Sequence, residues 1–240
     1  MSAREISIKL YRTNEHPCGY YRDRLARDLV LDPESPELKH VFPNALGSGF
    51  RRSGPRVYRP DCVGCSDCVS SRVVVAEFKP NRSQSRCLKR NSSLRVSIEP
   101  PYCNDERLAL YQRYLGSRHA GGGMDGAGAA DFEQFLQARW CDTRFLCVRE
   151  GERLVAAAVT DVTPIGLSAV YTFFDPDMAS RNLSRIYLQA RQQQLQAARK
   201  RFGKAPAASP PVSLGSSPKR RNPARNATAK GTLCDPDSDT

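Results

Sequence analysis

Residues 154–177 read LVAAAVTDVTPIGLSAVYTFFDPD, and this stretch predicts a long β-hairpin. Its two halves, 154–161 and 166–174, are rich in the β-branched and aromatic residues that favour strands. The sequence Thr163-Pro164-Ile165 between them has the composition of a turn. Asp161 and Asp175 each end a strand, where a carboxylate can serve a site or simply shape a turn. The hairpin therefore predicts a sheet in the second half of the chain.

Helices are predicted between this hairpin and a strand at residues 95–98. Asn104-Asp105-Glu106 places acids in the first turn of a helix, where they suit the helix dipole. Asp131 is predicted to cap a second helix. The apolar residues of the two helices that face inward are then Leu108, Tyr111, Leu115, Phe132, Phe135 and Leu136. Strands and helices together indicate the α+β fold class.

The first third of the chain carries GFRRSG at residues 49–54 and YRPDCVGCSDC at residues 58–68. Residues 50–60 predict a hairpin or loop with Arg51 and Arg52 at its tip. The flanking glycines permit unusual backbone angles, and paired guanidinium groups suit a phosphate or a carboxylate. A plain basic surface loop is the alternative. Residues 72–78, with three consecutive valines, predict a further strand.

The cysteine pattern indicates a metal or redox centre. Cys62, Cys65 and Cys68 are separated by two residues each, which allows their sulfurs to reach one centre. Cys18, in a turn that reads HPCGYYR, is the best fourth ligand for a tetrahedral site. Zinc and an iron–sulfur cluster both remain possible, and so does a set of reduced thiols that pack a small core.

The chain carries a net charge of +12, from 37 basic and 25 acidic residues. This excess favours a polyanionic partner such as nucleic acid. On a helix over residues 81–91, Arg82, Arg86 and Arg90 would share one face, which suits an anion or plain solvent. There is no apolar run of membrane-spanning length and no signal peptide, which predicts a cytoplasmic protein without structural disulfides.

These motifs together resemble one family. GFRRSG, YRPDCVGCSDC, NRSQSRCLKRN at 81–91, LYQRYLGSRHAGG at 110–122 and the 154–177 hairpin look like the bacterial aspartate/glutamate leucyltransferases, a branch of the arginyl-tRNA–protein transferases. The resemblance covers about residues 8–183. It implies transfer of leucine, or in related enzymes arginine, from aminoacyl-tRNA to proteins that begin with Asp or Glu, which marks them for N-degron degradation. It also implies an acyltransferase domain similar in fold to the GNAT acetyltransferases.

The resemblance implies a candidate site that requires no organic cofactor for its chemistry. The partners are leucyl-tRNA and acceptor proteins with an acidic first residue. The predicted catalytic residues are Asp161, Tyr171 and Asp175. The predicted metal ligands are Cys18, Cys62, Cys65 and Cys68. The predicted substrate-binding residues are Arg51, Arg52, Arg59, Arg86, Lys89, Arg90 and Arg181.

The resemblance ends after Arg181-Asn182-Leu183, where a Pro/Ala/Arg-rich segment replaces the closing strand expected of the family. This change of amino-acid composition predicts a frameshift near residue 183. The predicted domains are 1–92 with the cysteines, an incomplete acyltransferase domain at 93–202, and a disordered basic tail at 203–240. The alternatives to an active enzyme are an inactive remnant that binds tRNA or an N-degron, and a zinc-ribbon nucleic-acid module.

Overall fold

The computed structural model describes residues 7–118, 128–181 and 183. In these ranges the chain forms two four-stranded antiparallel sheets and one two-stranded ladder. Helices pack beside them, which confirms the predicted α+β class. No helix in the described ranges is long and apolar enough to cross a membrane.

The N-terminal sheet has the strand order β1-β4-β6-β5. Its strands are β1 (Leu10–Arg12), β4 (Asp28–Leu31), β5 (Arg51–Ser53) and β6 (Arg56–Pro60), while β2 (His16–Pro17) and β3 (Leu25–Ala26) form the separate ladder. Helix α1 (Leu38–Gly47) covers one face of the sheet. Its residues Leu38 and Phe42 join Val57 of β6 in a buried apolar cluster, which anchors the hairpin that carries GFRRSG.

The second sheet has the strand order β10-β9-β8-β7. Its elements are β7 (Arg95–Glu99), α3 (Asp105–Arg118), α4 (Ala129–Leu136), β8 (Asp142–Glu150), β9 (Arg153–Thr163) and β10 (Gly166–Phe174). Tyr111 of α3 and Phe132 of α4 meet Phe145 and Phe173 of the sheet in one fully buried aromatic cluster. Edge-to-face contacts between such rings stabilise this packing beyond the area that they bury.

The long hairpin is confirmed, with one irregularity that sequence did not indicate. Ala169 pairs with Thr160 and Tyr171 pairs with Val159, so Val170 is the extra residue of a β-bulge. Bulges bend a strand and redirect its side chains, and they recur beside active sites. Among the strands that the structure describes, β10 lies at the edge of the sheet, with the bulge in the middle of that edge.

A basic helix connects the two sheets along the chain. Helix α2 (Arg82–Arg90) begins with a capping box in which Asn81 and Gln84 exchange side-chain and backbone hydrogen bonds. It contacts the 3-10 helix Pro176–Arg181 through Asn91, whose side-chain amide donates to the Arg181 carbonyl at 2.9 Å. The helix proposed for residues 81–91 is therefore present.

Several predictions of local structure are wrong. The valines of residues 72–78 form no strand, because no strand in the described residues pairs with this segment. The side chains of Val73 and Val74 are exposed. Asp131 does not cap α4: Gly128 is the N-cap, and Asp131 accepts the Gly128 N–H from the third position of the helix.

The tip of the first hairpin is also different from the prediction. Arg51 and Arg52 lie within strand β5, and the turn is formed by Gly54 and Pro55. The disordered tail predicted at residues 203–240 lies outside the described residues. The segment after Leu183, to which the predicted frameshift refers, lies outside them as well.

Candidate functional site

Arg52 and Asp161 form a fully buried ion pair. Arg52 Nε donates to Asp161 Oδ2 at 2.6 Å and Nη2 donates to Oδ1 at 2.7 Å, with both side chains 0% exposed. Thr143, which faces Asp161 across the β8–β9 ladder, donates its hydroxyl to Oδ1 at 2.8 Å. Both carboxylate oxygens are thus already occupied. The geometry favours a positioning role for Asp161 over the proton transfer expected of a catalytic carboxylate.

The same guanidinium fastens the first hairpin to the second sheet. Arg52 Nη1 donates to the Gly54 carbonyl at 2.8 Å, and Nη2 donates to the Leu136 carbonyl at the end of α4 at 3.1 Å. Gly54 has a φ of 55°, and its N–H donates to the Phe135 carbonyl. A side chain at Gly54 would overlap the Gln134 carbonyl oxygen, which explains this glycine. Arg52 is therefore inaccessible as a substrate-binding residue in this structure.

Tyr171 follows the bulge of β10 and has a free functional group. Its hydroxyl is buried and has no hydrogen-bond partner in the described part of the chain. The ring packs edge-on against Phe135, 5.2 Å between centroids, and against Tyr111 and Tyr114. Burial raises the pKa of the Tyr171 phenol, so the hydroxyl stays protonated at neutral pH. It can donate a hydrogen bond to a substrate oxygen but cannot act as a base.

Asp175 is buried between two arginines at the end of β10. Arg113 Nη2 donates to Asp175 Oδ1 at 2.6 Å, and Arg153 Nη2 lies 3.0 Å from Oδ2 without hydrogen-bond alignment. The Asp177 N–H also donates to Oδ1 at 3.1 Å. These contacts join α3, β9 and the 3-10 helix, so the position indicates a structural role. The three predicted catalytic residues are therefore not equivalent, and Tyr171 alone among them offers a free donor.

The four predicted metal ligands line one cavity of about 220 Å³. This thiol cavity lies between the β2–β3 ladder, the end of β6 and the segment of residues 62–68, and Cys18, Cys62, Cys65 and Cys68 all face it. Arg24 Nη1 is 3.6 Å from the Cys65 sulfur. Nevertheless, no group of three or more His, Cys, Asp or Glu side chains in the described residues is arranged to hold a metal ion.

Charged residues also line the thiol cavity. Arg24 donates to Asp67 Oδ2 at 3.1 Å and lies over the Tyr21 ring. A hydrogen bond from Tyr21 lowers the pKa of the Asp67 carboxyl, and the same bond raises the pKa of the Tyr21 phenol. Arg51 reaches the cavity from β5, above the Tyr58 ring. Its Nε is buried and, in the described residues, has no hydrogen-bond partner.

The remaining predicted substrate-binding residues lie apart from one another. Arg59 is directed to the Ser48 carbonyl at 3.0 Å and to the Phe50 ring. Arg181 forms an ion pair with Glu150 at 3.2 Å. Arg86, Lys89 and Arg90 are exposed on α2 together with Arg82, and none of these four forms an ion pair with any described residue. Arg90 Nη1 donates to the Ser180 carbonyl at 2.5 Å, so among the described contacts Arg82, Arg86 and Lys89 are the α2 cations that remain available to a partner.

Sequence reasoning missed the partners of these residues. Thr143, Arg113 and Arg153 hold the buried carboxylates, and Arg24 bridges the first turn to Asp67. No local pattern could have identified them, because each contact joins residues far apart in sequence. The one available signal was the run HPCGYYRDR at residues 16–24, which concentrates aromatic and charged side chains in a turn.

Both halves of the chain match models of known protein families. Residues 16–86 match the family model described as "Arginine-tRNA-protein transferase, N terminus". Residues 106–203 match the model described as "Arginine-tRNA-protein transferase, C terminus". The second match extends beyond residue 183, where the resemblance in the quoted motifs ends.

Curated relatives give the same result over most of their length. An aspartate/glutamate leucyltransferase of Stenotrophomonas maltophilia (strain K279a) is 53% identical over 186 residues, which is 75% of this chain and 74% of the relative. A protein of the same name from Xylella fastidiosa (strain 9a5c) is 51% identical over 185 residues, 75% of this chain and 73% of the relative. One from Xanthomonas campestris pv. campestris (strain B100) is 52% identical over 182 residues, 73% and 72%.

Proposed function

Because this chain belongs to the arginine-tRNA-protein transferase family, we propose that it transfers leucine from leucyl-tRNA to the α-amine of proteins that begin with Asp or Glu. The observation that carries this proposal is the 53% identity to a protein named aspartate/glutamate leucyltransferase over 74% of that relative. The new N-terminal leucine would mark the acceptor for degradation by the N-degron route, in the cytoplasm where charged tRNA is available.

The reaction is the aminolysis of an ester. The α-amine nitrogen attacks the ester carbonyl carbon, the amide bond forms, and the bond to the terminal ribose oxygen of the tRNA breaks. The proton lost by the amine balances the one gained by the ribose oxygen. No covalent enzyme intermediate is needed, so catalysis depends on positioning and on stabilising the oxyanion.

Tyr171 supplies the donor for this chemistry. Its buried, unpartnered hydroxyl lies at the bulged edge strand, where the pairing of backbone groups is locally interrupted. A protonated phenol in a buried site donates strongly to an oxygen that gains negative charge. Asp161 and Asp175 act as positioning residues, because they hold β9 and β10 in place through Arg52, Arg113 and Arg153.

The second sheet is proposed to be the acyltransferase domain, similar in fold to the GNAT acetyltransferases. The order of its elements supports this: one strand, two helices and then three antiparallel strands. Residues 1–92 form the proposed N-terminal domain and residues 93–202 the proposed acyltransferase domain. The ion pair between Arg52 and Asp161 makes the two act as one unit.

Helix α2 is proposed to bind the phosphates of the tRNA. Its nine residues carry four exposed cations and no acid. Like charges at helical spacing repel one another, and a polyanion removes that cost. The net charge of +12 provides a long-range attraction for the same partner.

Reversing two of these charges should weaken tRNA binding. We expect the double variant Arg86→Glu/Lys89→Glu to lower tRNA affinity about tenfold at moderate salt and to reduce the slope of log K against log salt by about two. Filter binding of leucyl-tRNA at several salt concentrations measures both quantities. Arg95→Glu, at an exposed cation of β7, is the matched control. An unchanged slope in the double variant would show that α2 does not contact the tRNA.

Cys18, Cys62, Cys65 and Cys68 are proposed to hold one zinc ion or iron–sulfur cluster. Four thiols are a suitable donor set for either centre, and all four face the same cavity. A metal centre bound by these thiols would cross-link the turn at Cys18 to the segment of residues 62–68. The transfer chemistry itself does not require it.

Metal analysis tests this assignment. Protein purified without oxygen should contain about one metal centre per chain, and Cys65→Ser should lose it and loosen the N-terminal domain. Cys103→Ser is the control, because Cys103 packs against the second sheet and away from the thiol cavity. The absence of both zinc and iron from the wild-type protein would contradict the proposal.

The proposed activity is tested by incubating the protein with leucyl-tRNA charged with labelled leucine. A peptide that begins with Asp should become labelled at its N-terminus, and an otherwise identical peptide that begins with Ser should not. Labelling of neither peptide would overturn the proposed transfer, and equal labelling would overturn the proposed selection of acceptors.

A further inference from the structure

Arg51 and Arg52 are adjacent in strand β5 but lie in different environments. Successive side chains of a strand project to opposite faces, so Arg52 and Arg51 cannot share a ligand. Arg52 enters the buried pair with Asp161, while Arg51 lines the thiol cavity. Arg52 therefore has a structural role, whereas Arg51 has a donor that can bind a ligand in the thiol cavity.

The Arg51 guanidinium has an unused donor in a place that water does not reach freely. Its Nε is buried and makes no hydrogen bond to any described residue. A buried polar donor without a partner is costly and requires an explanation, and a bound ligand is one that suits a donor at the wall of a cavity. The group that Arg51 binds best is a planar anion, because its N–H groups match two oxygens side by side.

The other charges of the cavity restrict which anion can enter. Arg24 is already paired with Asp67, so these two nearly cancel. Asp28 also lines the cavity, and its side chain is only 12% exposed. Among the described residues its carboxylate accepts no hydrogen bond, and His16 Nε2 lies 3.9 Å away. A polyphosphate would meet two carboxylates, whereas a small ligand with one anionic and one cationic group would be matched by Arg51 and Asp28.

An N-terminal Asp or Glu has this charge pattern, a side-chain carboxylate close to an α-ammonium group. We propose that the part of the thiol cavity lined by Arg51 and Asp28, apart from its four cysteine sulfurs, binds the first residue of the acceptor protein, with Arg51 on its carboxylate and Asp28 near its α-nitrogen. This inference rests on the proposed transferase function and assigns acceptor selection to one residue of the Arg51-Arg52 pair.

The strand that supplies Arg51 to the cavity also contacts the second sheet. Among the described strands, β5 lies at the edge of the N-terminal sheet and contacts β10, which lies at the edge of the second sheet. The turn that follows Arg51 contacts Phe135, whose ring packs on Tyr171. The hairpin that carries Arg51 thus contacts the domain that carries the proposed donor.

The experiment measures peptide binding without tRNA, so that it does not depend on transfer. Three peptides that differ only in a first residue of Asp, Asn or Ser are titrated into the full chain by calorimetry. Wild-type protein should prefer Asp over Asn by at least about tenfold. Arg51→Gln should bind both equally, and Arg51→Lys should recover part of the preference.

Arg56→Gln is the matched control, because Arg56 also lies over the Tyr58 ring, does not line the thiol cavity and is exposed to solvent. It should keep the wild-type preference. Circular dichroism and leucyl-tRNA binding of Arg51→Gln should both match the wild type.

Two results would overturn the inference. The first is an undiminished preference for Asp in Arg51→Gln. The second is a loss of leucyl-tRNA affinity in the same variant, which would show that the cavity takes a phosphate of the tRNA end. Failure of the proposed function gives a different result: the wild-type protein would bind the Asp peptide selectively but transfer no leucine to it.

Discussion

Replacing Arg52 with methionine is expected to lower the free energy of unfolding by about 3–5 kcal/mol, because it leaves Asp161 as an unpaired buried charge. The same change removes the contacts of Arg52 with the Gly54 and Leu136 carbonyls. The first hairpin would then lose the side-chain contacts of Arg52 with the second sheet, while the Gly54 N–H still donates to the Phe135 carbonyl. We therefore expect leucine transfer to fall to background at assay temperature. Urea unfolding monitored by circular dichroism measures the first effect, and labelled-leucine transfer measures the second.

Two variants separate the buried charge from its structural consequence. Arg56→Met removes an exposed arginine from the same hairpin and should change stability by less than about 0.5 kcal/mol. The double variant Arg52→Met/Asp161→Leu removes both charges and should recover much of the lost stability, since an apolar pair of similar volume often replaces a buried ion pair without cost. If Arg52→Met alone is as stable as the wild type, the pair does not join the two sheets.

Changing Tyr171 to phenylalanine is expected to lower kcat about a hundredfold or more while leaving the fold intact. The substitution removes only the buried hydroxyl, which has no partner among the described residues. Stability should stay unchanged or rise slightly, because an unsatisfied buried polar group disappears. KM for leucyl-tRNA and for the acceptor should change little, because the hydroxyl is proposed to stabilise the oxyanion rather than either ground state.

Tyr114→Phe is the control for this prediction, because its ring belongs to the same aromatic cluster on α3. It should retain transfer activity within a few-fold of the wild type. Tyr171→Phe with unchanged kcat would remove Tyr171 from the catalytic machinery. An equal loss in both variants would show that the effect is not specific to the Tyr171 hydroxyl.

Periodic patterns of the sequence predicted the elements that bury one face. The 154–177 hairpin, helix α3 with Tyr111 and Leu115 inward, and strand β7 were all confirmed, because apolar periodicity follows directly from burial. The valines at residues 73–75 show the limit of such patterns. Their composition favours a strand, but a strand also requires a partner, and the sheet edges available to this segment leave it unpaired.

The candidate site was less accessible to sequence reasoning. The sequence marked Arg52 and Asp161 as separate candidate site residues. Their ion pair could be seen only in the fold, because the two positions are far apart in sequence. The alternation of β5 gives Arg51 and Arg52 opposite surroundings, which a motif written as two neighbouring arginines cannot indicate. The bulge at Val170, which places the Tyr171 hydroxyl, depends on cross-strand register and not on local propensity.

The central claim is that this chain moves leucine from tRNA to an acidic N-terminus, and one measurement tests it most directly. The protein is incubated with leucyl-tRNA and an equimolar mixture of Asp-, Asn- and Ser-peptides, and the products are identified by mass spectrometry. We predict one added leucine on the Asp peptide alone, joined to its α-amine. An absence of any leucine adduct, in protein that still binds leucyl-tRNA, would contradict the claim and favour a binding protein that has lost catalysis.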